Sequence, residues 1–533
     1  MRRTLSRTLR PDRAEPDRPR PAGPASGAPR ARPPGWAWVL LWAGLTVGVG
    51  LLVRLPGTAT LDPDEHAAAL YFDRLVAGDR LEEPLLSAPK PLLTVVHGLA
   101  WRVGHDWRLA EALAVAAFAL ATVCLARAAG RLAGPPGAAA TVLAVAGFGP
   151  LVLQAARANS IVFALAGWSV ALDALTRGPR RPGGTGPAWG VAAAALAVAA
   201  LARAETWLLL PVAAGYGLVA WRRGERRAAL LALPLAVPLL WLAHDWLLTG
   251  DPLYALEVPG RYTDLVEGRQ VVPPGQWLSQ VGRRYAADPL LLGLAAVGVV
   301  WLVRRRAWVW LVGLALAGIG VLALLGVEAW RGTYVSWRYY DPADLALRVA
   351  AALGAAHLAT AVARRLTTRG PAGPGAAPPR WAGLLAGAGA LALVGAACWP
   401  LAPNDPLVDS TLDRDTRLSA NTATAIAVLA PVAADPGTVV TVSGPQRLRV
   451  AVELDLPLGR VRDLFLAGRS APLDRALAGS AAVFHDADGD RPPERFAVLS
   501  TTIPTRIGSV RLVPLRTDPA DGLYVHRVEG SGA

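Results

Sequence analysis

The stretch LDPDEHAAALYFDRLVAGDRLEEPLLSAPKPLL, residues 61–93, follows directly on an apolar run that begins near Trp36. It opens with an acidic cluster that includes Asp64 and Glu65, and it ends near Lys90, the only lysine of a chain with 54 Lys and Arg residues. The residues after Asp64 have helical propensity, so one interpretation is a helix capped by Asp62 or Asp64. The other is a carboxylate at the membrane surface that acts as general base on a hydroxyl group.

The composition is that of a membrane protein. Hydrophobic residues make up 53% of 533 residues, and the mean hydropathy of +0.35 is too apolar for an ordinary soluble protein of this size. Apolar runs of about 20 residues, long enough to cross a bilayer, recur along the chain. We therefore predict an α-helical polytopic fold with about eleven transmembrane helices. These are residues 36–55, 109–129, 137–154, 160–176, 187–203, 206–221, 228–247, 287–303, 307–326, 343–363 and 381–400.

Arginine predicts the orientation of these spans. The first 35 residues carry nine arginines among Pro, Ala and Gly without an apolar period, which predicts a disordered tail over 1–35. Alternate connections on the same side are also rich in arginine, so the positive-inside rule makes that side cytoplasmic and the C-terminus extracytoplasmic. These connections are ARAAGRLAGPP, TRGPRRPGGTG, WRRGERR, VRRRAW and ARRLTTRGPAGPG. The net charge of +14 is thus distributed beside apolar runs, and it does not indicate nucleic-acid binding.

The predicted outer side has two long loops and a terminal domain. The first long loop, residues 57–107, holds eight acidic and four basic residues. The second long loop is residues 248–286. Residues 36–402 form the predicted transmembrane domain, and residues 403–533 a small extracytoplasmic α/β domain. In that domain SANTATAIAVLAPVAA is predicted as helix, and GTVVTVSG, FAVLSTTI and GLYVHRV as strands.

Several basic residues fall on the predicted outer face, where the topology rule expects few. The apolar segment after Ser87 is interrupted by Pro89, Lys90 and Pro91, so it fits a helix in the interface with Lys90 at the level of the lipid headgroups. Arg157, Arg203, Arg331 and Arg338 lie at the outer ends of other spans. Each arginine alone is consistent with snorkelling beside a partner. Together with Lys90 they favour an anion site. There arginine can bind two oxygens of the anion through its guanidinium, and lysine contributes a point charge.

The order of these features resembles the GT-C superfamily of membrane glycosyltransferases, and in particular the bacterial branch similar to protein O-mannosyltransferases and aminoarabinose transferases. Asp64 and Glu65 match that family's Asp-Glu pair after the first span, and Lys90-Pro91 matches the start of its Lys-Pro-Pro element, although Leu92 replaces the second proline. The segments ARANSIVFALAGW, ARAETWLLLPV, TGDPLYAL and WRYYDPADLALRVAAALG resemble further elements of the family. The likeness covers most of residues 36–365.

The resemblance implies that a sugar passes from a polyprenyl-phosphate donor to a lipid, polysaccharide or protein acceptor, at the outer face of a bacterial plasma membrane. Asp64 would be the general base, Glu65 would orient it or contact substrate, and His66 and Tyr339 are possible substrate contacts. The donor phosphate would bind Lys90, Arg338, Arg157 and Arg203. The branch implies no cofactor and no catalytic metal, although His66 beside Asp64 leaves a divalent metal open. Two alternatives are a flippase for a lipid-linked sugar and a scaffold that keeps the fold without catalysis.

Overall fold

A computed structural model describes most of the chain beyond the first predicted span. The described residues are 63–81, 85, 87–105, 107–177, 187–258, 274–332, 337–368, 380–398, 406–442, 446–464, 472–487 and 494–530. The predicted tail 1–35 and the predicted span 36–55 lie outside these ranges, as do the side chains of Asp64 and Arg338.

The first half of the described chain is helical. Two amphipathic helices, α1 and α2, precede the longer apolar ones. Helix α3 contains a break at Gly134, whose φ of 72° is followed by Pro135 and Pro136. The helices are α1 Pro63–Ala77, α2 Pro91–Gly104, α3 Arg108–Ala146, α4 Gly149–Ala156, α5 Ser160–Leu175, α6 Trp189–Ala202, α7 Leu209–Arg222 and α8 Val237–Thr249. Short 3-10 helices, Ala204–Leu208 and Arg226–Ala236, precede α7 and α8.

The second half continues with α9 Pro274–Ala286, α10 Pro289–Arg304, α11 Trp308–Ala315, α12 Val321–Trp330, α13 Asp341–Thr368 and α14 Arg380–Cys398. A π-helical turn, Leu316–Gly320, joins α11 to α12, and a 3-10 turn, Trp337–Tyr340, precedes α13. Helices α10 and α13 cross at Gly298 and Gly354, where an added Cβ would stand 2.0 Å from a backbone oxygen of the facing helix. Small residues permit this close approach of the two backbones.

Four helical stretches among the described residues are long and apolar enough to cross a membrane. They are Arg108–Ala146, Arg226–Thr249, Trp308–Trp330 and Asp341–Thr367. Two further candidates are sharply bent pairs, α4 with α5 at 113° and the end of α9 with α10 at 90°. The number is therefore up to six within the described ranges, and the count of eleven spans stays a prediction.

Beyond α14 the chain forms a mixed sheet of six strands covered by helices. The helices are α15 Pro406–Ala433, α16 Arg447–Glu453 and α17 Leu473–Leu477. The strands are β1 Val440–Val442, β2 Val461–Asp463, β3 Ala482–Asp486, β4 Thr505–Ile507, β5 Val510–Asp518 and β6 Leu523–Gly530. Their order is β2-β1-β3-β6-β5-β4, with β1 parallel to β2 and β3 and the other pairs antiparallel.

One strand prediction in this region is wrong. FAVLSTTI contains no strand: residues Glu494–Leu499 form a 3-10 helix, and the next strand, β4, begins at Thr505. Phe496 and Leu499 are both fully buried in the core as part of a helical turn, whereas Val498 and Ile503 of the same stretch are exposed. Spacing alone could not separate a short buried turn from a short buried strand.

The sheet region packs directly on the helix that carries the acidic cluster. A single apolar cluster contains Ala67 and Tyr71 of α1, together with Leu429 of α15, Val440 of β1 and Val450 of α16. A second, larger cluster joins α1 and α2 to the long helices α3, α5, α10 and α13. Helix α1 thus lies between the helical bundle and the sheet region.

Candidate active site

The site is built where α1 and α2 pack against the start of α5. Gly98 of α2 faces Phe72 of α1 so closely that an added Cβ would lie 2.2 Å from the Phe72 Cβ. Helix α2 begins with Pro91 at its first turn, and Lys90 precedes it in extended conformation. Helix α1 begins at Pro63, so Asp64 lies inside its first turn and the capping position falls to residue 62, outside the described ranges.

Glu65 is the centre of the site. Its side chain is 1% exposed, its Oε1 lies 3.0 Å from the Lys90 Nζ, and the Ser160 backbone N–H donates to the same oxygen at 3.3 Å. Ser160 is the first residue of α5, so the carboxylate also benefits from the positive end of that helix. Lys90 is 16% exposed and bound to Glu65, and its place at the level of the lipid headgroups stays a prediction.

His97 completes the surroundings of Glu65. Its Nδ1 lies 3.7 Å from the Glu65 Oε2, and its side chain is fully buried beside Phe163. Burial, together with the charge of Lys90, lowers the pKa of His97 to about 3. The imidazole is therefore neutral at physiological pH, and the described cation that balances Glu65 is Lys90.

The segment ARANS forms a sharp corner between α4 and α5. Arg157 ends α4 and is half-buried, Ala158 has a left-handed φ of 52°, and the Asn159 side chain caps α5 by accepting the Ile161 N–H at 3.1 Å. Asn and Asp are favoured at such caps because a short side chain satisfies a free N–H of the first turn. The corner directs the Ser160 N–H toward Glu65.

Arg203 extends the polar arrangement from Ser160 toward the end of α6. Its guanidinium binds Glu205 through two nitrogens, at 2.5 and 3.2 Å, and its Nη1 donates to the Ser160 Oγ at 3.4 Å. The same group lies 5.6 Å from the centre of the Tyr339 ring, within cation–π range. Lys90, Glu65, Ser160, Arg203 and Glu205 therefore form one continuous polar chain.

An apolar cavity opens at the Arg203 end of this chain. Arg203, Glu205, Tyr339 and Asp341 are polar residues of its wall, and most of the rest of the wall is aliphatic. Its aliphatic lining suits a hydrocarbon chain with a charged end at the polar side. The other lining residues are Leu151, Ile161, Ala164, Leu165, Trp168, Thr206, Leu208, Leu209, Leu316, Ala317, Val321, Leu325, Pro342 and Leu345.

The structure brings together some of the predicted site residues and separates others. Glu65, Lys90, Arg203 and Tyr339 belong to the polar chain or its rim, whereas His66 contacts the Trp107 ring at 4.9 Å. Trp107 in turn donates to Glu453 of α16, so His66 adjoins the sheet region. Within the described residues no group of three or more His, Cys, Asp or Glu side chains could hold a metal ion. Independence from a metal stays a prediction.

Sequence reasoning missed Ser160 and His97. Ser160 could have been found from the Asn-Ser pair that follows Arg157, because this pair predicts a helix start on the outer side. His97 lies two turns into α2, and Lys90 is the residue directly before that helix. Its apolar surroundings in sequence, PLLTVVHGLAW, gave no reason to connect it with Glu65.

Comparisons with known proteins identify the fold. No protein-family model matches the chain, and no curated protein matches it. Among solved structures, ArnT from Cupriavidus metallidurans in the apo state is 17% identical with a TM-score of 0.50. Its complex with undecaprenyl phosphate is 16% identical with a TM-score of 0.52; each match covers 92% of this chain and 98% of ArnT. The oligosaccharyltransferase of Archaeoglobus fulgidus, tethered to an acceptor peptide, is 11% identical with a TM-score of 0.50, covering 85% of this chain and 69% of the enzyme.

ArnT, an aminoarabinose transferase, and the archaeal oligosaccharyltransferase are both members of the GT-C superfamily. The predicted resemblance to that superfamily is therefore confirmed at the level of the fold. The chain is a mostly helical membrane protein with the GT-C fold.

Proposed function

We propose that this chain, a membrane protein with the GT-C fold, transfers a sugar from a polyprenyl-phosphate donor to an acceptor hydroxyl or amine. The observation that carries the proposal is the polar chain from Lys90 to Arg203 at the edge of an apolar cavity. A polyprenyl phosphate has the same two parts, a charged head and a long hydrocarbon. One structural neighbour, ArnT, holds undecaprenyl phosphate.

In this proposal Lys90 and Arg203 bind the donor phosphate. Glu65 and Glu205 hold the two cations in place, at 3.0 Å from Lys90 and at 2.5 Å from Arg203. An ammonium has three N–H donors and a guanidinium five, and both groups bind phosphate oxygens in proteins. Fixed donors of this kind stabilise negative charge without reorganisation when it develops on the leaving phosphate. Arg157 and Arg338 are proposed as additional phosphate contacts, and Tyr339 as a substrate contact beside Arg203.

Asp64 is proposed as the general base. It precedes Glu65 in the first turn of α1, and Glu65 fixes that turn through Lys90 and Ser160. The acceptor O–H or N–H gives its proton to Asp64 while the acceptor atom attacks the anomeric carbon. The bond between that carbon and the phosphate oxygen breaks, and polyprenyl phosphate leaves with the electron pair. Glu65 orients this machinery, and His66 is kept as a possible acceptor contact through its place next to Asp64.

The test uses a host strain from which the gene has been deleted. We expect this strain to lack one glycan or glycolipid and to accumulate a polyprenyl-phosphate-linked sugar, and the wild-type gene to reverse both changes. Asp64→Asn should leave transfer at least about 100-fold slower, the usual contribution of a positioned base. Asp79→Asn is the matched control, because Asp79 follows the same helix with its side chain 62% exposed.

Full restoration by Asp64→Asn, at equal protein level, would reject the catalytic assignment and favour a scaffold. A flippase is separated by repeating the transfer in detergent solution, where no membrane sides exist. The purified enzyme should still form product from extracted donor and acceptor lipids, whereas a flippase would form none.

A further inference from the structure

A second charged cluster lies at the other end of α5 from the candidate site. Asp173 is 2% exposed and is surrounded by Arg127, Arg131 and Arg177. Ser160 and Asp173 are separated by about 20 Å at the helical rise per residue, and the topology predicted from the arginine-rich connections assigns them to opposite sides of the membrane. The cluster plays no part in the proposed transfer reaction.

The arginines are held in place by one carboxylate. Arg131 donates to the Asp173 Oδ1 at 2.6 Å, to its backbone oxygen at 2.9 Å and to the Thr176 Oγ1 at 3.2 Å. Arg177 binds the other oxygen, Oδ2, at 3.1 Å, and the Arg127 Nε lies 3.8 Å from Oδ1. These contacts order three long side chains that would otherwise sample many rotamers.

The cluster has positive charge left over. Among the described residues, three guanidinium groups share the single charge of Asp173, and their side chains are 43%, 32% and 31% exposed. The Arg177 Nε is buried and has no hydrogen-bond partner within the described ranges. An anion with several oxygens could accept hydrogen bonds from these guanidinium groups.

The position of Arg127 indicates which anion. Leu113 and Leu120 of α3 are large apolar side chains exposed on the helix surface, 40% and 49% respectively. Leu120 and Arg127 are seven residues apart and so lie on one helix face. An apolar stripe that ends in an exposed guanidinium matches a lipid, with an acyl chain along the stripe and a headgroup phosphate at its end.

We propose that the Asp173 cluster binds the phosphate of an anionic phospholipid in the leaflet opposite the candidate site. Arg127 and Arg177 supply the free donors, and Asp173 with Arg131 fixes their geometry. The proposal is independent of the transfer reaction, because none of these residues contacts the polar chain between Lys90 and Glu205.

The experiment is native mass spectrometry of the full chain in detergent, titrated with dioleoyl phosphatidylglycerol. Dioleoyl phosphatidylcholine carries the same phosphate without net charge and is the lipid control. We expect the first phosphatidylglycerol to bind at least about fivefold more tightly than phosphatidylcholine. Arg127→Gln and Arg177→Gln should each weaken it about fivefold, the effect of one basic side chain at a lipid surface. Arg223→Gln is the matched control, an exposed arginine directly after α7, and should change the affinity less than about twofold.

Two results would overturn the proposal. One is an unchanged affinity for phosphatidylglycerol in Arg127→Gln and Arg177→Gln, with an unfolding temperature that is lowered equally in phosphatidylglycerol and in phosphatidylcholine. The cluster would then only hold helices together. The other is equal thermal protection by inorganic phosphate and by phosphatidylglycerol, which would make this a site for a soluble anion. Arg127→Lys is the control for misfolding. It keeps the positive charge but loses the bidentate guanidinium, so it should retain part of the preference for phosphatidylglycerol.

Discussion

The two ends of α5 handle charge in opposite ways. At Ser160, two cations are each bound to a carboxylate of their own, Lys90 to Glu65 and Arg203 to Glu205. At Asp173, three arginines share one carboxylate. The first arrangement is the less exposed, with side chains between 1% and 27% exposed, and it gives precise positions for donors. The second is half-exposed and keeps an excess of positive charge. The comparison suggests that the first end recognises a specific phosphate while the second holds a more general anion.

The two ends of α5 should differ most in the free energy of unfolding that is lost when one basic side chain is removed from each. Lys90→Met leaves the Glu65 carboxylate buried without its ammonium, which should lower the free energy of unfolding by about 3 kcal/mol or more. Arg127→Met leaves Asp173 with two other arginines and should cost less than about 1 kcal/mol. Unfolding of the detergent-solubilised protein in rising denaturant measures both. Equal losses at the two ends would show that the contrast in burial has no energetic meaning.

A double variant sharpens this result. Glu65→Gln combined with Lys90→Met replaces a buried ion pair by two uncharged side chains, so much of the stability lost in Lys90→Met should return. Donor use should stay low, because the ammonium is absent. If stability and donor use recover together, Lys90 is structural and does not bind phosphate.

The packing of α1 on α2 offers the next prediction. Gly98→Ala places a Cβ 2.2 Å from that of Phe72, so the helices must separate, at a cost of about 1–3 kcal/mol. We expect donor affinity to fall as well, since Glu65 and Lys90 lie on the two separated segments. Gly104→Ala, in the same helix but with no atom within 4 Å of its added Cβ, is the control and should be silent. Thermal unfolding and donor titration of both variants provide the check.

The ring of Tyr339 should have a smaller effect. It lies under the Arg203 guanidinium, and a cation–π contact of this kind contributes about 0.5–2 kcal/mol. Tyr339→Leu should therefore raise the KM for donor several-fold, and Tyr339→Phe, which keeps the ring, should raise it less. If Tyr339→Phe raises the KM for donor as much as Tyr339→Leu does, the hydroxyl group and not the ring makes the contact that matters.

The pH dependence of stability should be the smallest effect near neutrality. The pKa of His97 is lowered to about 3 in the folded chain, below the ordinary value of 6.5. The unfolded chain therefore binds a proton that the folded chain does not, and stability falls as pH drops from 6.5 toward 3. His97→Leu should make the fall shallower over that window, measured by unfolding at several pH values. His105→Leu, in an exposed histidine of the same segment, should not.

The fold was accessible from sequence to a large extent because its signals are long and repeated. Apolar runs and arginine-rich connections predicted a helical membrane protein, and Asp64-Glu65 with Lys90-Pro91 indicated the superfamily. The corner at Ala158 was less accessible, since a left-handed alanine has no sequence signature. The apolar neighbours of Lys90 in the sequence predicted its place in an interfacial segment but gave no sign of its ion-pair partner. Its actual partner, Glu65, is 25 residues away and meets it only through the crossing at Gly98.

The most direct test of the central claim is the binding of undecaprenyl phosphate to the purified full chain. The polar chain is proposed to hold the donor phosphate, and Asp64 to act only on the acceptor. Wild type and Asp64→Asn should therefore bind the lipid with equal affinity, while Glu65→Gln/Lys90→Met should bind it at least tenfold more weakly, about 1.4 kcal/mol. Equal affinity in all three proteins would contradict the account.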